Sequence, residues 1–198
     1  MFRRENFFIW LALVLLVLHA ARVLLVGDSE LTQLQFGGYQ TRSIEAGQVW
    51  RLVTYAFVHR DWAQVILNAL ALAVLGSVLV RVHSLWLALF IYGLGLLLGL
   101  LSFALFVPPS AVMVSVSAGP AALVGAALVT FLFQPARLGT ALAYVAAVTS
   151  GVFLMFSTLA VPELSFPQIA AIISGALVIL VTRLLRALGV GQHETDSE

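Results

Sequence analysis

Apolar residues in this chain do not alternate or keep to one helical face; they run on for whole segments. Six largely apolar stretches stand out: Phe7–Val26, Trp62–Val82, Leu85–Val107, Ala111–Phe133, Leu138–Val161 and Phe166–Leu185. Each approaches the ~20 residues needed to cross a ~30 Å hydrocarbon layer. In lipid only a helix satisfies all of its own backbone groups, so the pattern predicts six spans and an all-α polytopic membrane bundle. Polar positions gather in the 27–61 loop, in four short turns and in the acidic "GQHETDSE" end. The first stretch is too long for a signal peptide and no small-x-small cleavage site follows it, so it reads as a retained span.

Composition agrees and narrows the function. Hydrophobic residues make up 62% of the 198, charged residues 10%, and the mean hydropathy is +1.06. These values exclude an ordinary soluble domain. A net charge of +1 points to no nucleic-acid partner, and no cofactor or metal is expected. The absence of cysteine removes disulfides, thiolate catalysis and cysteine-based zinc sites. All ten basic residues are arginine. Arg3, Arg4, Arg81, Arg137, Arg183 and Arg186 fall on one side if the N-terminus is cytoplasmic. The expected organisation is a cytoplasmic N-terminus over 1–6, a six-helix membrane domain over 7–188 with a long outer loop at 27–61, and a disordered acidic cytoplasmic tail over 189–198. The expected location is a bacterial inner membrane.

Spans two, four and six would then begin on the outer side, and each carries uncharged polar side chains near that end. Gln64 and Asn68 share a face of the second. Ser115 and Ser117 fall one to two turns into the fourth, about 10 Å at ~1.5 Å per residue. Gln168 follows Pro167 in the first turn of the sixth. Polar groups in a bilayer face the bundle interior, which predicts a polar pocket opening outward. A plainer reading stands beside it. Ser117, Ala121 and Gly125 form one small-residue stripe and Gln168, Ala171 and Gly175 another, as helices in close contact require. Gly95 and Gly99 read as packing in the same way. His19 and Arg22, one turn apart in the first span, suggest a polar contact in which a neutral His19 is hydrogen-bonded within the bundle.

The stretch "GQVWRLVTYAFVHRDWAQVILNALALAVLG" (47–76) resembles the first loop and second helix of the rhomboid intramembrane serine protease superfamily. Trp50, Arg51, His59, Trp62, Asn68 and Gly76 fall at that family's spacing, and six spans with a long first outer loop fit its basic bacterial form. The resemblance implies a rhomboid-like fold in which Ser117 holds the nucleophile's position, Asn68 an oxyanion-hole position and Gly125 a matching helix glycine. It implies structural roles for Trp50, Arg51, His59 and Gly175. Several positions depart from the pattern. Ser115 and Ala118 replace two motif glycines, Gln64 an oxyanion-hole histidine, and Ala121 an aromatic. Gln168, seven residues before Gly175, replaces the basic histidine itself.

A carboxamide donates and accepts hydrogen bonds but has no nitrogen that titrates near neutral pH. Serine attack needs a base, and losing one costs on the order of 10⁴ to 10⁶ in turnover in soluble serine proteases. Of the histidines, only His59 lies on the correct side to substitute; His19, His83 and His193 do not. The resemblance therefore implies a pseudoprotease, whose partners are the bilayer and the transmembrane segments of client proteins. An active serine endopeptidase using Ser117 with an unorthodox base is the alternative. A small transporter is weaker, since no inverted repeat or charged midplane site is evident.

Overall fold

A computed structural model describes residues 3–114, 117–134, 139–160 and 165–189. Six principal helices follow in order: α1 (Phe7–Val26), α2 (Trp62–Val82), α3 (Leu85–Phe106), α4 (Ala118–Phe133), α5 (Thr140–Ala160) and α6 (Ser165–Ala187). Among the described residues the only β pairing is an isolated bridge between Tyr39 and Met113. The chain is an all-helical integral membrane bundle. Helices α1, α2, α3 and α6 are long and apolar enough to cross a bilayer, and the apolar helices α4 and α5 complete the bundle. Bulky side chains such as Leu24, Leu25, Leu105 and Tyr144 point outward, while Ala118, Ala121, Ala122, Ala126 and Ala171 fill the interior. Such a bundle gains nothing by hiding leucine from lipid tails, so small residues that bring backbones together hold its centre. Exposed tryptophans mark both ends: Trp10 and Trp86 near one, Trp50 and Trp62 near the other.

The central helix is α4, packed between α3 and α6, with α5 and the middle of α2 against its remaining sides. Here the expected boundary is corrected. The fourth apolar stretch does not become helical at Ala111; the helix starts at Ala118, so Ser117 is its N-cap rather than a residue one to two turns inside. Pro120 supplies the physical reason. Proline has no N–H to give and is tolerated without cost only in a first turn, and Pro120 is the third helical residue. Upstream, Pro108 and Pro109 follow the end of α3, and Met113 exchanges two 2.8 Å hydrogen bonds with Tyr39. α6 opens in the same way, with Pro167 as its third residue.

The α4–α6 crossing is a direct backbone contact. A Cβ at Gly125 would overlap the Ile172 carbonyl, and one at Gly175 would overlap the Ala122 carbonyl. Gly95 and Gly99 of α3 pack on Ala118 and Ala122 in the same manner. α2 departs from regular winding at Leu72–Gly76, a π-type turn where Gly76 seats the Phe8 ring of α1.

The 27–61 loop is folded on itself. The buried Arg51 donates from Nη1 to the carbonyls of Leu34 and Gly38 and from Nε to Gln48 Oε1. Arg22, 1% exposed near the end of α1, closes its base. Its Nη2 pairs with Asp28 at 2.7 Å and donates to the His59 carbonyl at 3.1 Å, and Nη1 donates to the Gly27 carbonyl. The loop docks on the segment before α4, where Gln40 Nε2 donates to the Ser110 carbonyl at 2.8 Å.

Candidate functional site

Ser117 and Gln168 sit at one level, and α3 shows why. A Cβ at Gly99 would stand 2.5 Å from Ala118 Cβ and 3.9 Å from Pro167 Cβ, so the first turns of α4 and α6 meet on that glycine. Ser117 precedes Ala118 and Gln168 follows Pro167. Both are buried, at 6% and 5% exposure, and so is Asn68 of α2. The backbone brings the three sequence-predicted polar residues into the interior of one end of the bundle, the end that carries the 27–61 loop.

Their chemistry is sparse. Ser117 does not cap α4 with its hydroxyl, and among the described residues that hydroxyl makes no hydrogen bond; its carbonyl accepts from Ala121 N at 2.8 Å. Gln168 Oε1 is buried and, among the described residues, has no hydrogen-bond partner. Leaving such an acceptor unmet costs roughly 1–3 kcal/mol, which a folded chain carries only for packing or for an absent partner. No group of three or more His, Cys, Asp or Glu residues able to hold a metal occurs among the described residues.

Gln64 behaves differently from Ser117 and Gln168. Its backbone N–H donates to Asp61 Oδ1, the N-cap of α2, and its own Oε1 accepts from Arg60 N at 2.7 Å. The carbonyl end is thus committed to starting the helix. Gln64 also lines a cavity of about 300 Å³ at this end, with Gln33, Arg60, Met113 and Val114. That cavity's described lining includes neither Asn68 nor Ser117 nor Gln168. Ser115, Arg137 and the 190–198 segment with His193 lie outside the described residues.

His59 and His19 face one another across the loop base, ring centroids 6.4 Å apart, and His19 lies edge-on to Trp62 at 4.7 Å. Among the described residues none of the four ring nitrogens makes a hydrogen bond of good geometry. The expected hydrogen-bonded His19 is therefore corrected: the ring is held by aromatic edges. Burial depresses the His59 imidazole to about 3, so it stays neutral at ordinary pH. Asp61 feels burial pushing its carboxyl up, but the Gln64 amide and Arg60 outweigh that and hold it below the usual carboxylate value. Sequence reasoning missed the Arg22–Asp28–His59 knot. A lone arginine four residues before the end of an apolar span was the available signal.

A family model described as the Rhomboid domain matches residues 46–187, well over half of the chain. No curated protein and no solved structure matches it.

Proposed function

The chain belongs to the rhomboid family, and from that premise we propose that it is a catalytically inactive member that binds transmembrane segments of client membrane proteins. One observation carries this reading: the buried polar group level with Ser117 on the facing helix is a carboxamide, Gln168, whose Oε1 accepts no hydrogen bond among the described residues. A serine hydroxyl there has no group to take its proton at neutral pH. His59, the other candidate base, is turned toward His19 on α1 and lowered to about 3 by burial.

What remains is a place to hold a helix that does not suit lipid. The irregular 107–114 segment and the cavity beside it, lined in part by Glu30, Gln33, Arg60 and Gln64, offer backbone and side-chain partners to a client whose polar or unwound stretch would otherwise lie unsatisfied in hydrocarbon. In this reading both termini are cytoplasmic and the membrane is a bacterial inner membrane.

The purified chain is to be incubated with a rhomboid substrate and with a serine-directed fluorophosphonate. Neither cleavage nor labelling is expected, and photo-crosslinkers near Gln64 are expected to capture transmembrane segments. Ser117→Ala leaves capture unchanged. Gln168→His alone is expected to give no measurable cleavage, because Ser115 and Ala118 still stand where the motif has glycines and Ala121 offers no ring to brace the new imidazole. Ala121, fully buried, also leaves no room for a bracing ring without repacking. Ser117-dependent cleavage or labelling by the unmodified chain would make it an active serine endopeptidase and overturn the proposal.

A further inference from the structure

The end of the bundle away from the 27–61 loop carries an open cavity of about 490 Å³ between the start of α1 and the α2–α3 turn. Arg3, Arg4 and Arg81 line it, against one carboxylate, Glu5. Glu5 pairs with Arg3 at 3.5 Å and with Arg81 at 3.2 Å, while Arg4 makes no ion pair among the described residues. Three guanidinium groups around one carboxylate leave an uncompensated positive charge. Trp86, 77% exposed, stands on the rim at what the aromatic belt marks as headgroup level.

The same two helices continue the feature into the membrane. A second cavity of about 400 Å³, almost wholly apolar, runs between Phe7 and Leu11 of α1 and Leu89, Gly93 and Leu100 of α3. From Leu89 to Leu100 α3 rises about 16 Å, close to half of a ~30 Å hydrocarbon layer. Its far end is closed by Tyr55, whose hydroxyl donates to the Leu96 carbonyl at 2.8 Å. Gly93 is the telling residue. Unlike Gly95 and Gly99, a Cβ there would meet nothing within 4 Å, so no protein neighbour demands a glycine. Its missing side chain instead keeps the apolar groove continuous, although glycine within a helix is less favourable than alanine.

We propose that this seam binds one anionic phospholipid, its phosphate held among Arg3, Arg4 and Arg81 and one acyl chain lying along the α1–α3 groove past Gly93. Charge selects the headgroup and the groove holds the tail; a free anion would use only the first and a neutral lipid only the second.

Native mass spectrometry of the full chain, delipidated and then given equimolar phosphatidylglycerol and phosphatidylcholine, tests this. Phosphatidylglycerol is expected to be retained in preference. Arg4→Gln should weaken its retention about fivefold, the scale of ~1 kcal/mol per arginine near an anionic headgroup. Adding Arg81→Gln should weaken it further, with phosphatidylcholine unaffected. Gly93→Leu should reduce retention of both lipids with the melting temperature preserved, because the added side chain enters open space. Inorganic phosphate at millimolar concentration should not displace the lipid. Equal retention of the two lipids, indifference to Arg4→Gln, indifference to Gly93→Leu, or displacement by phosphate would each overturn the proposal. Arg4→Gln is decisive by itself, since no ion pair among the described residues depends on that side chain.

Discussion

An alanine at Gly125 adds one methyl group where the Ile172 carbonyl already lies. To admit it, α4 and α6 must separate, and the looser packing along their crossing should cost roughly 1–3 kcal/mol, the scale of overpacking in a tight core. Gly151 of α5 is the control, because a Cβ there meets nothing within 4 Å. Gly151→Ala should instead raise stability by about 0.5–1 kcal/mol through helix propensity. Thermal unfolding in detergent reads both, and equal shifts of the same sign would show that α4 and α6 do not meet backbone to backbone. Asn68 belongs to the same level of detail. It is a buried amide within an apolar helix, and Asn68→Leu should destabilise by about 1 kcal/mol, the usual worth of a polar contact between membrane helices. An unchanged melting temperature would argue that its amide contributes nothing to the bundle.

Among the elements, the 27–61 loop answers to pH through His59. The folded ring titrates near 3 and the ordinary value is 6.5, so below 6.5 the unfolded chain takes up a proton that the folded chain refuses. Its contribution to stability is full above 6.5 and falls as pH drops from there toward 3. Asp61, held below 3.8, loses its own contribution only at still lower pH, so the two act in one direction. His19, Arg22 and Asp28 face the same cluster. The melting temperature should therefore decline between about pH 7 and about pH 4, and His59→Leu should flatten that decline. A profile of unchanged slope in the variant would refute this account of the loop base. How far each element could be read from sequence differs for physical reasons. Long spans such as α2 and α3 are visible because apolar length alone specifies a helix in lipid. The Gly125 and Gly175 stripes name the faces that meet, since only small residues permit backbone contact. The start of α4 was obscured because apolar residues continue upstream of it, and hydropathy cannot separate a helix from an extended segment buried in protein. Pro120 carried that information. The loop's clamps were invisible because Arg51 and Arg22 bind backbone carbonyls distant in sequence, which no local pattern records.

For the whole molecule, the arginine distribution makes an orientation testable: a reporter fused after Glu198 is expected to be active in the cytoplasm and inactive outside. Activity outside would require an odd number of crossings and would part α2, α4 and α6 from the common direction that brings Ser117 and Gln168 level. The placement of α4 has a further consequence, in the order of synthesis. This helix is covered by α3, made before it, and by α6, released after every other helix of the bundle. While α5 is being inserted, the face of α4 that will receive Ile172 has only lipid against it, and a surface of alanine and glycine gives lipid tails little to grip. The nascent bundle thus passes through a stage in which five of its helices are in place and its centre is uncovered, when it is most open to misassembly and to proteolysis. Whether the five helices before it are kept thus depends on α6.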